Sequence, residues 1–473
     1  MLRKLFTATL IFVASLAYSQ AYSQNLIQNF VSHPALKHAS IGVSVVDMTT
    51  GRSVVSHNAE ASLTPASVLK LITSATALEM LGDNWRYKTE ITLDASDPSR
   101  ILVIGAGDPT LGSDVFGENP NAFFVNSAVQ IKKALPQDRE YSILVVDNLF
   151  GYDGVSPEWT WIDLGNYYAP GVYGVSVFDN SYRLFFNTTD RSNTPRILRT
   201  EPDIKGLTFH NELTTNNTGR DNGYIYGAPL SYDRAVRGNI PGGRSSFSIK
   251  GDIPDPGMLL GETLADQLRK EGFNVVNVET SRTSGLSSYK AGKSILTHLS
   301  RPLKDIIREV NVKSNNHYAE HLIRTIGRNS KVNLNENALE AGVEIINEFW
   351  KRNGIDVTPL TMFDGSGLAP QNAVSSEFLT QMLLQMYNKS DFRDTFVGSL
   401  PKAGQEGTLR NFMGNSKYNG IIVAKSGSIG GVQCYAGYLI DGDKEYAFAV
   451  MVNKFSGSRA QVRGAIERLL NGL

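Results

Sequence analysis

Thr64-Pro65-Ala66-Ser67-Val68-Leu69-Lys70 opens the stretch on which the reading of the fold turns. From Ser67 to Leu81 apolar residues occupy nearly every side: Val68, Leu69, Leu71, Ile72, Ala75, Ala77, Leu78 and Leu81. A helix apolar all round belongs in the middle of a domain. Pro65 sits just outside its start and Gly82 supplies a C-cap, so the spacing predicts a buried helix over 67–81. Ser67 and Lys70 lie three apart and share one face at its N-terminus. Burial disfavours an ammonium and drives a lysine pKa down from about 10.4, by as much as several units. A lysine so placed can take a proton from the neighbouring hydroxyl and make Ser67 a nucleophile. The same residues also fit a plainer pattern, with Ser67 as N-cap and Lys70 reaching to water.

The chain around this helix is long, 473 residues, which favours two or more domains. Hydrophobic content of 41% with 19% charged residues describes a globular protein. Lys+Arg 46 balances Asp+Glu 46, and that neutrality argues against a nucleic-acid partner, whose footprint is basic. The N-terminus reads as a signal peptide over residues 1–23: Arg3 and Lys4, an apolar run from Leu5 to Ala17, then small residues at Ala17, Ser19, Ala21 and Ser23. The apolar run is short for a membrane span, so an exported, periplasmic or extracytoplasmic protein without a stable membrane anchor is expected. The single cysteine, Cys434, cannot form an intrachain disulfide and reads as a small buried hydrophobe.

Residues 39–57 predict a hairpin turning at Thr49-Thr50-Gly51. From about Trp85 the texture becomes strand-like, and residues 203–250 show no helical period. Helices are expected at Gly257–Glu271, Leu303–Val310, Asn316–Ile326 (stopped by Gly327), Glu336–Lys351 and Ser375–Met386. The chain closes with two strands and a helix marked by Val462, Ile466 and Leu469. The terminal pieces therefore predict one α/β domain, an antiparallel sheet flanked by helices. Its first part is 24–88 and its second 292–473. A strand-rich insert of two small domains over 89–291 interrupts it.

Two further stretches bear chemistry. Ser314-Asn315-Asn316 lies between two expected helices, where a hydroxyl can relay protons and an amide can hold a peptide carbonyl; alone, it also fits a helix cap. Lys425-Ser426-Gly427-Ser428 ends a strand, with donors for a carboxylate and a glycine that allows close backbone approach. S-x-x-K opening a buried helix, S-x-N in a helical loop and K-[ST]-G on a late strand form the signature of penicillin-recognising serine enzymes.

With these motifs on the page, the chain resembles the D-alanyl-D-alanine carboxypeptidase/endopeptidase class of penicillin-binding proteins (peptidase family S13, class C low-molecular-mass type), and so a serine β-lactamase/DD-peptidase-like fold. The resemblance takes in Gly107-Asp108-Pro109-Thr110-Leu111, Trp159-Thr160-Trp161-Ile162-Asp163 and Ile253-Pro254-Asp255-Pro256. It continues through Phe363-Asp364-Gly365-Ser366-Gly367-Leu368 and Gly404-Gln405-Glu406-Gly407-Thr408-Leu409. The third motif departs, being Lys-Ser-Gly-Ser where Lys-Thr-Gly-Thr is commoner. What the resemblance implies is an acyl-enzyme on Ser67, with Lys70 as base, Ser314 as proton relay and Asn316 orienting the substrate. It further implies an oxyanion hole from the N–H groups of Ser67 and Ser428, and a terminal carboxylate held by Lys425, Ser426, Gly427 and Ser428. Asp163 would meet a diaminopimelate amine. The implied partners are peptidoglycan stem peptides, with β-lactams as inhibitors; no cofactor or metal is implied.

Three other readings share some of these residues. A β-lactamase has the same motifs, but between Asn316 and Lys425 no glutamate is followed by Asn at the fourth position, the segment with which class A enzymes activate the deacylating water. His317-Tyr318-Ala319-Glu320-His321 is H-x-x-E-H, a zinc-peptidase pattern with Glu320 as base; its plain counterpart is two histidines on a partly exposed helix face. A wall-binding protein without turnover is the third, and retention of both Ser67 and Lys70 counts against it. Asp364-Gly365-Ser366-Gly367 reads as turn chemistry.

Overall fold

The computed structural model describes residues 22–192, 194–285, 289–329 and 337–473. The expected signal peptide, as far as residue 21, and the start of the helix expected at Glu336 lie outside the described residues. Two compact units divide the chain. The first holds the chain up to Asp83, Ile307–Asn315 and Val343–Leu473; the second holds Asn84–Ile306 and Asn316–Gly342.

The first unit is built on a five-stranded antiparallel sheet in the order Ile422–Ile429, Val432–Asp441, Lys444–Asn453, Ser40–Asp47, Ser53–His57. The hairpin expected near the start forms one edge, and the two closing strands join it through Ser40 opposite Asn453. Strand alternation sorts the two faces. Val43, Val45, Ile422 and Ala424 share a core with Val462, Ile466 and Leu469 of the helix Arg459–Asn471, which therefore packs on the sheet. A helix over residues 22–31, absent from the sequence reading, adds Ile27 and Phe30 to that core. On the opposite face Ser44 meets Thr380 of the helix Ser376–Asn388 at 2.7 Å between hydroxyl oxygens. Cys434 is buried in the sheet, and burial pushes its thiol up to about 12.

The central helix is tighter at its start than expected. Ala66–Leu69 is a 3-10 turn and the α-helix runs Lys70–Leu81, ending on Gly82 at φ 82°. Its residues from Leu71 to Leu78 are all buried, as the all-round apolar pattern requires.

The second unit is a mixed α/β layer with two smaller sheets. Its main sheet runs Asn274–Thr280, Glu140–Val146, Asp97–Ile104, Lys88–Asp94, Ala291–Leu299. The first three strands are parallel and the last two pair antiparallel. The parallel pairs need crossovers, and the helices Ala122–Ala134 and Pro256–Lys270 supply them. Asp255 caps the second of these by accepting from the Met258 N–H at 2.9 Å. Residues 203–250 form strands of the smaller sheets, and one buried cluster includes Ile101, Leu184 and Ile225 from all three sheets.

Two expectations need correcting here. Gly327 does not stop its helix, which runs Asn316–Asn329. A β-carbon at Gly327 would stand 2.2 Å from the Ala338 carbonyl oxygen, so this glycine lets two helices approach closely. His317 and His321 are not on a partly exposed face, since both are buried.

Candidate active site

The first unit gathers Ser67, Lys70, Ser314, Lys425, Ser426, Gly427 and Ser428. Ser67 is held by an unusual backbone: Ala66, just before it, sits at φ 47°, a left-handed conformation rare for a residue with a side chain. Such strain persists only where surroundings enforce it. Two glycines do the enforcing. A β-carbon at Gly367 (φ 78°) would stand 2.0 Å from the Ala66 carbonyl oxygen, and one at Gly427 would stand 2.4 Å from that of Pro65 and 3.1 Å from the Ser67 nitrogen. The strand bearing the third motif therefore lies directly against the turn bearing Ser67. From Pro65 to Lys70, Ser67 alone keeps some exposure.

Lys70 is fully buried, and its Nζ reaches Ser67 Oγ at 3.0 Å and the Ser366 carbonyl oxygen at 2.6 Å. The loop that presents this carbonyl is organised by one carboxylate. Asp364 accepts from the Gly367 N–H at 2.7 Å, the Ala369 N–H at 2.6 Å and Asn372 Nδ2 at 2.8 Å. The next carbonyl back, Gly365, accepts from Thr73 Oγ1 at 2.7 Å on the same helix as Lys70. The turn chemistry expected of Asp364-Gly365-Ser366-Gly367 is present, and its product is a fixed acceptor for the lysine.

Lys425 is the second buried amine. Its Nζ donates to Ser314 Oγ at 2.8 Å and to the Ser426 carbonyl at 2.9 Å. Ser314 also has a left-handed backbone, at φ 59°. Burial, and then the charge of Lys70, hold the Lys425 ammonium well below the ordinary lysine range. In its protonated form the Lys425 amine favours an arriving anion. The strand Ile422–Ile429 is an edge strand, covered by Pro401–Ala403 as far as Ala424 through the Ala403–Ile422 and Ala424–Pro401 backbone bonds. Ser426 and the exposed Ser428 follow that cover.

Asn316 and Asp163 belong to the second unit, where the structure links them through one tyrosine. Asn316 Nδ2 donates to the Tyr168 carbonyl at 2.8 Å, and the Tyr168 hydroxyl bonds to Asp163, its pKa raised first by burial and then by that carboxylate. Asp163 also accepts from Thr160 Oγ1 at 2.5 Å, beside the exposed Trp161 and Ile162. The zinc pattern is occupied otherwise. Glu320 is ion-paired with Arg324 at 2.8 Å, both fully buried, which removes it as a base. His317 Nε2 meets Ser176 Oγ at 2.7 Å and His321 Nδ1 meets the Gly107 carbonyl at 2.7 Å, with the two rings 4.5 Å apart. Burial first, then Arg324, lowers His317 to about 3; burial first, then His317, holds His321 well below the ordinary value. Among the described residues no group of three or more His, Cys, Asp or Glu side chains is placed to hold a metal. Nor is any helix there long and apolar enough to cross a membrane.

The sequence motifs did not single out the supporting residues. Thr73 and Asp364 lie within the helix 67–81 and the Phe363–Leu368 stretch, whereas Asn372 lies in neither, and only the folded loop shows that the three converge on Lys70.

Comparison with known proteins adds to this geometry. The sequence profile of the D-Ala-D-Ala carboxypeptidase 3 (S13) family matches residues 23–471. A D-alanyl-D-alanine carboxypeptidase of Actinomadura sp. (strain R39) is 27% identical over 448 residues, covering 91% of this chain and 81% of that protein. The crystal structure of penicillin-binding protein 4 from Haemophilus influenzae superposes with a TM-score of 0.77 at 19% identity, over 95% of this chain and 98% of that one. The same protein complexed with a novel β-lactam gives 0.75 at 18% identity, with the same coverage.

Proposed function

We propose, from the premise that this chain belongs to the D-Ala-D-Ala carboxypeptidase 3 (S13) family, that it is an exported serine peptidase cleaving D-Ala-D-Ala ends or D-Ala-diamino-acid cross-links of peptidoglycan. The observation that carries the proposal is the buried Lys70 Nζ at 3.0 Å from Ser67 Oγ, in the same unit as Lys425 on Ser314. Lys70 takes the Ser67 proton as Oγ attacks the carbonyl between the D-alanines. The Ser366 carbonyl, fixed by Asp364, keeps the amine on that line. Ser314 passes a proton to the leaving amine, its hydroxyl oriented by Lys425. Backbone N–H groups of Ser67 and Ser428 receive the developing oxyanion, each donor worth roughly 3–4 kcal/mol by comparison with other acyl-transfer enzymes. The terminal carboxylate supplies the anion that protonated Lys425 favours, held by Lys425, Ser426 and Ser428, with Gly427 giving it room. Water then releases the acyl group. Asn316 orients the substrate amide and Asp163 takes the diamino-acid amine; both roles rest on the motif resemblance.

β-Lactams, which carry a carboxylate beside an activated amide, esterify Ser67 in this scheme, and the complexed Haemophilus protein supports that reading. The test is labelling of the mature protein with a fluorescent penicillin, followed by peptide mass mapping. One adduct per chain on Ser67, absent from Ser67→Ala, is expected. A folded protein that takes up no label refutes the proposal.

A further inference from the structure

We propose that Thr408 is a positioning residue for the carboxylate site, supplying to Ser426 the restraint that a threonine at that position would carry within itself. This rests on the reading above, in which the strand from Lys425 to Ser428 holds the substrate carboxylate. The Ser426 hydroxyl lies 2.8 Å from Thr408 Oγ1 and donates to it. Thr408 sits in the short 3-10 turn Gly407–Leu409, and both ends of that turn are fixed. Leu409 is fully buried in the first unit's core. Gly407, at φ 48°, lies so close to Val312 that a β-carbon would stand 2.0 Å from the Val312 carbonyl oxygen. The turn thus abuts the segment leading to Ser314 and the strand leading to Ser428, while Thr408 itself stays exposed. Neither core packing nor backbone capping accounts for its hydroxyl.

The reason such a partner matters lies in the serine. A threonine is stiff at χ1 because two heavy atoms crowd its β-carbon, whereas a serine hydroxyl moves among three staggered positions. Ordering it when ligand binds costs free energy that an already ordered hydroxyl does not incur. Thr408 holds Ser426 Oγ in one position before binding. When a carboxylate arrives, only hydrogens rotate: Thr408 turns its O–H toward Ser426 Oγ, and Ser426 turns its own toward the carboxylate. Ser426 then donates to an anion while accepting from Thr408, an arrangement in which each bond polarises the next. No heavy atom moves and no covalent bond changes.

The test is a double-mutant cycle on the full mature chain, read as the dissociation constant and acylation rate for benzylpenicillin and for its methyl ester. Thr408→Val removes the hydroxyl at nearly constant shape, and Ser426→Thr restores the methyl. Thr408→Val is expected to weaken benzylpenicillin binding about tenfold with little change in acylation rate, and to leave the ester unaffected. Ser426→Thr in the Thr408→Val background is expected to recover most of the loss. Unchanged benzylpenicillin affinity in Thr408→Val, an equal loss for both ligands, or no recovery in the double variant each overturns the role. Wild-type protein that never acylates on Ser67 takes down the functional reading itself, and this inference with it.

Discussion

The buried histidine pair sets a definite acid sensitivity. His317 and His321 stay neutral in the fold well below pH 6.5, because burial disfavours their charged forms, Arg324 opposes a proton on either ring, and His317 opposes one on His321. The unfolded chain binds those protons near pH 6.5, so stability that is complete above that value is lost as pH falls toward the lowered folded values. At pH 5 the loss is governed by the unfolded chain and comes to roughly 2 kcal/mol per histidine. Buried carboxyls work the other way. Asp108, Asp147 and Asp252 are each raised to about 6, chiefly by burial, so the fold takes up their protons first and gains on the same descent, roughly 1 kcal/mol each. The two effects oppose each other in the wild type, so a single curve does not separate them. His317→Gln isolates the histidine, since its amide nitrogen can replace Nε2 opposite Ser176. Urea unfolding at pH 7.5 and pH 5, followed by tryptophan fluorescence, is the assay: Trp85, Trp159 and Trp161 all lie in the second unit. The variant should fare better than wild type on going to pH 5 by about 2 kcal/mol. Equal pH dependence of the two proteins, or assigned His317 and His321 NMR resonances that titrate near pH 6.5 in the folded wild type, refutes the reasoning.

Other consequences concern the first unit. Asp364→Asn should slow penicillin acylation at least tenfold while leaving reversible binding nearly unchanged, because the Ala369 N–H loses its acceptor and the Ser366 carbonyl is freed; stopped-flow acylation kinetics separate the two. Gly427→Ala places a methyl 2.4 Å from the Pro65 carbonyl oxygen, so Ser67 must shift and labelling should fall at least a hundredfold. Affinity for carboxylate ligands should weaken as pH rises through the lowered Lys425 value, since the protonated amine is the binder, and Lys425→Arg should move that alkaline limb upward. Cys434 should resist thiol reagents until the protein unfolds, because burial keeps it protonated and inaccessible.

How far sequence reading reached depends on whether a residue's partner is near it in the chain. The Ser67–Lys70 pair is legible because its spacing and its helix are local, and the two apolar runs joined by the Asp441-Gly442-Asp443 turn are enough to recognise strands. The helix Ala122–Ala134 went unseen for an equally local reason. Val125 and Val129 are 46% and 39% exposed, so apolar residues surround the helix without marking its buried face. The helix Asn316–Asn329 posed the converse problem, for His317, Glu320, His321 and Arg324 look solvent-facing and are buried. Their partners, Ser176, Gly107 and Gly154, lie some 140 to 210 positions away. No periodicity encodes such pairings. The Asp364 loop is legible in sequence as a turn, yet what the turn serves appears only when Lys70 arrives from far earlier in the chain.

The register of Ser40 opposite Asn453 has a bearing on how the protein comes into being. As the chain is made, its second unit is nearly complete in one continuous run, whereas the sheet beside Ser67 lacks three of its five strands until the final fifty or so residues emerge. Such distant pairings are slow to form, since the closure of a very long loop precedes any gain from contact. Ser67 is thus synthesised early but faces Lys425 only at the last stage of folding, and a truncated chain carries Ser67 without the strand that completes its surroundings.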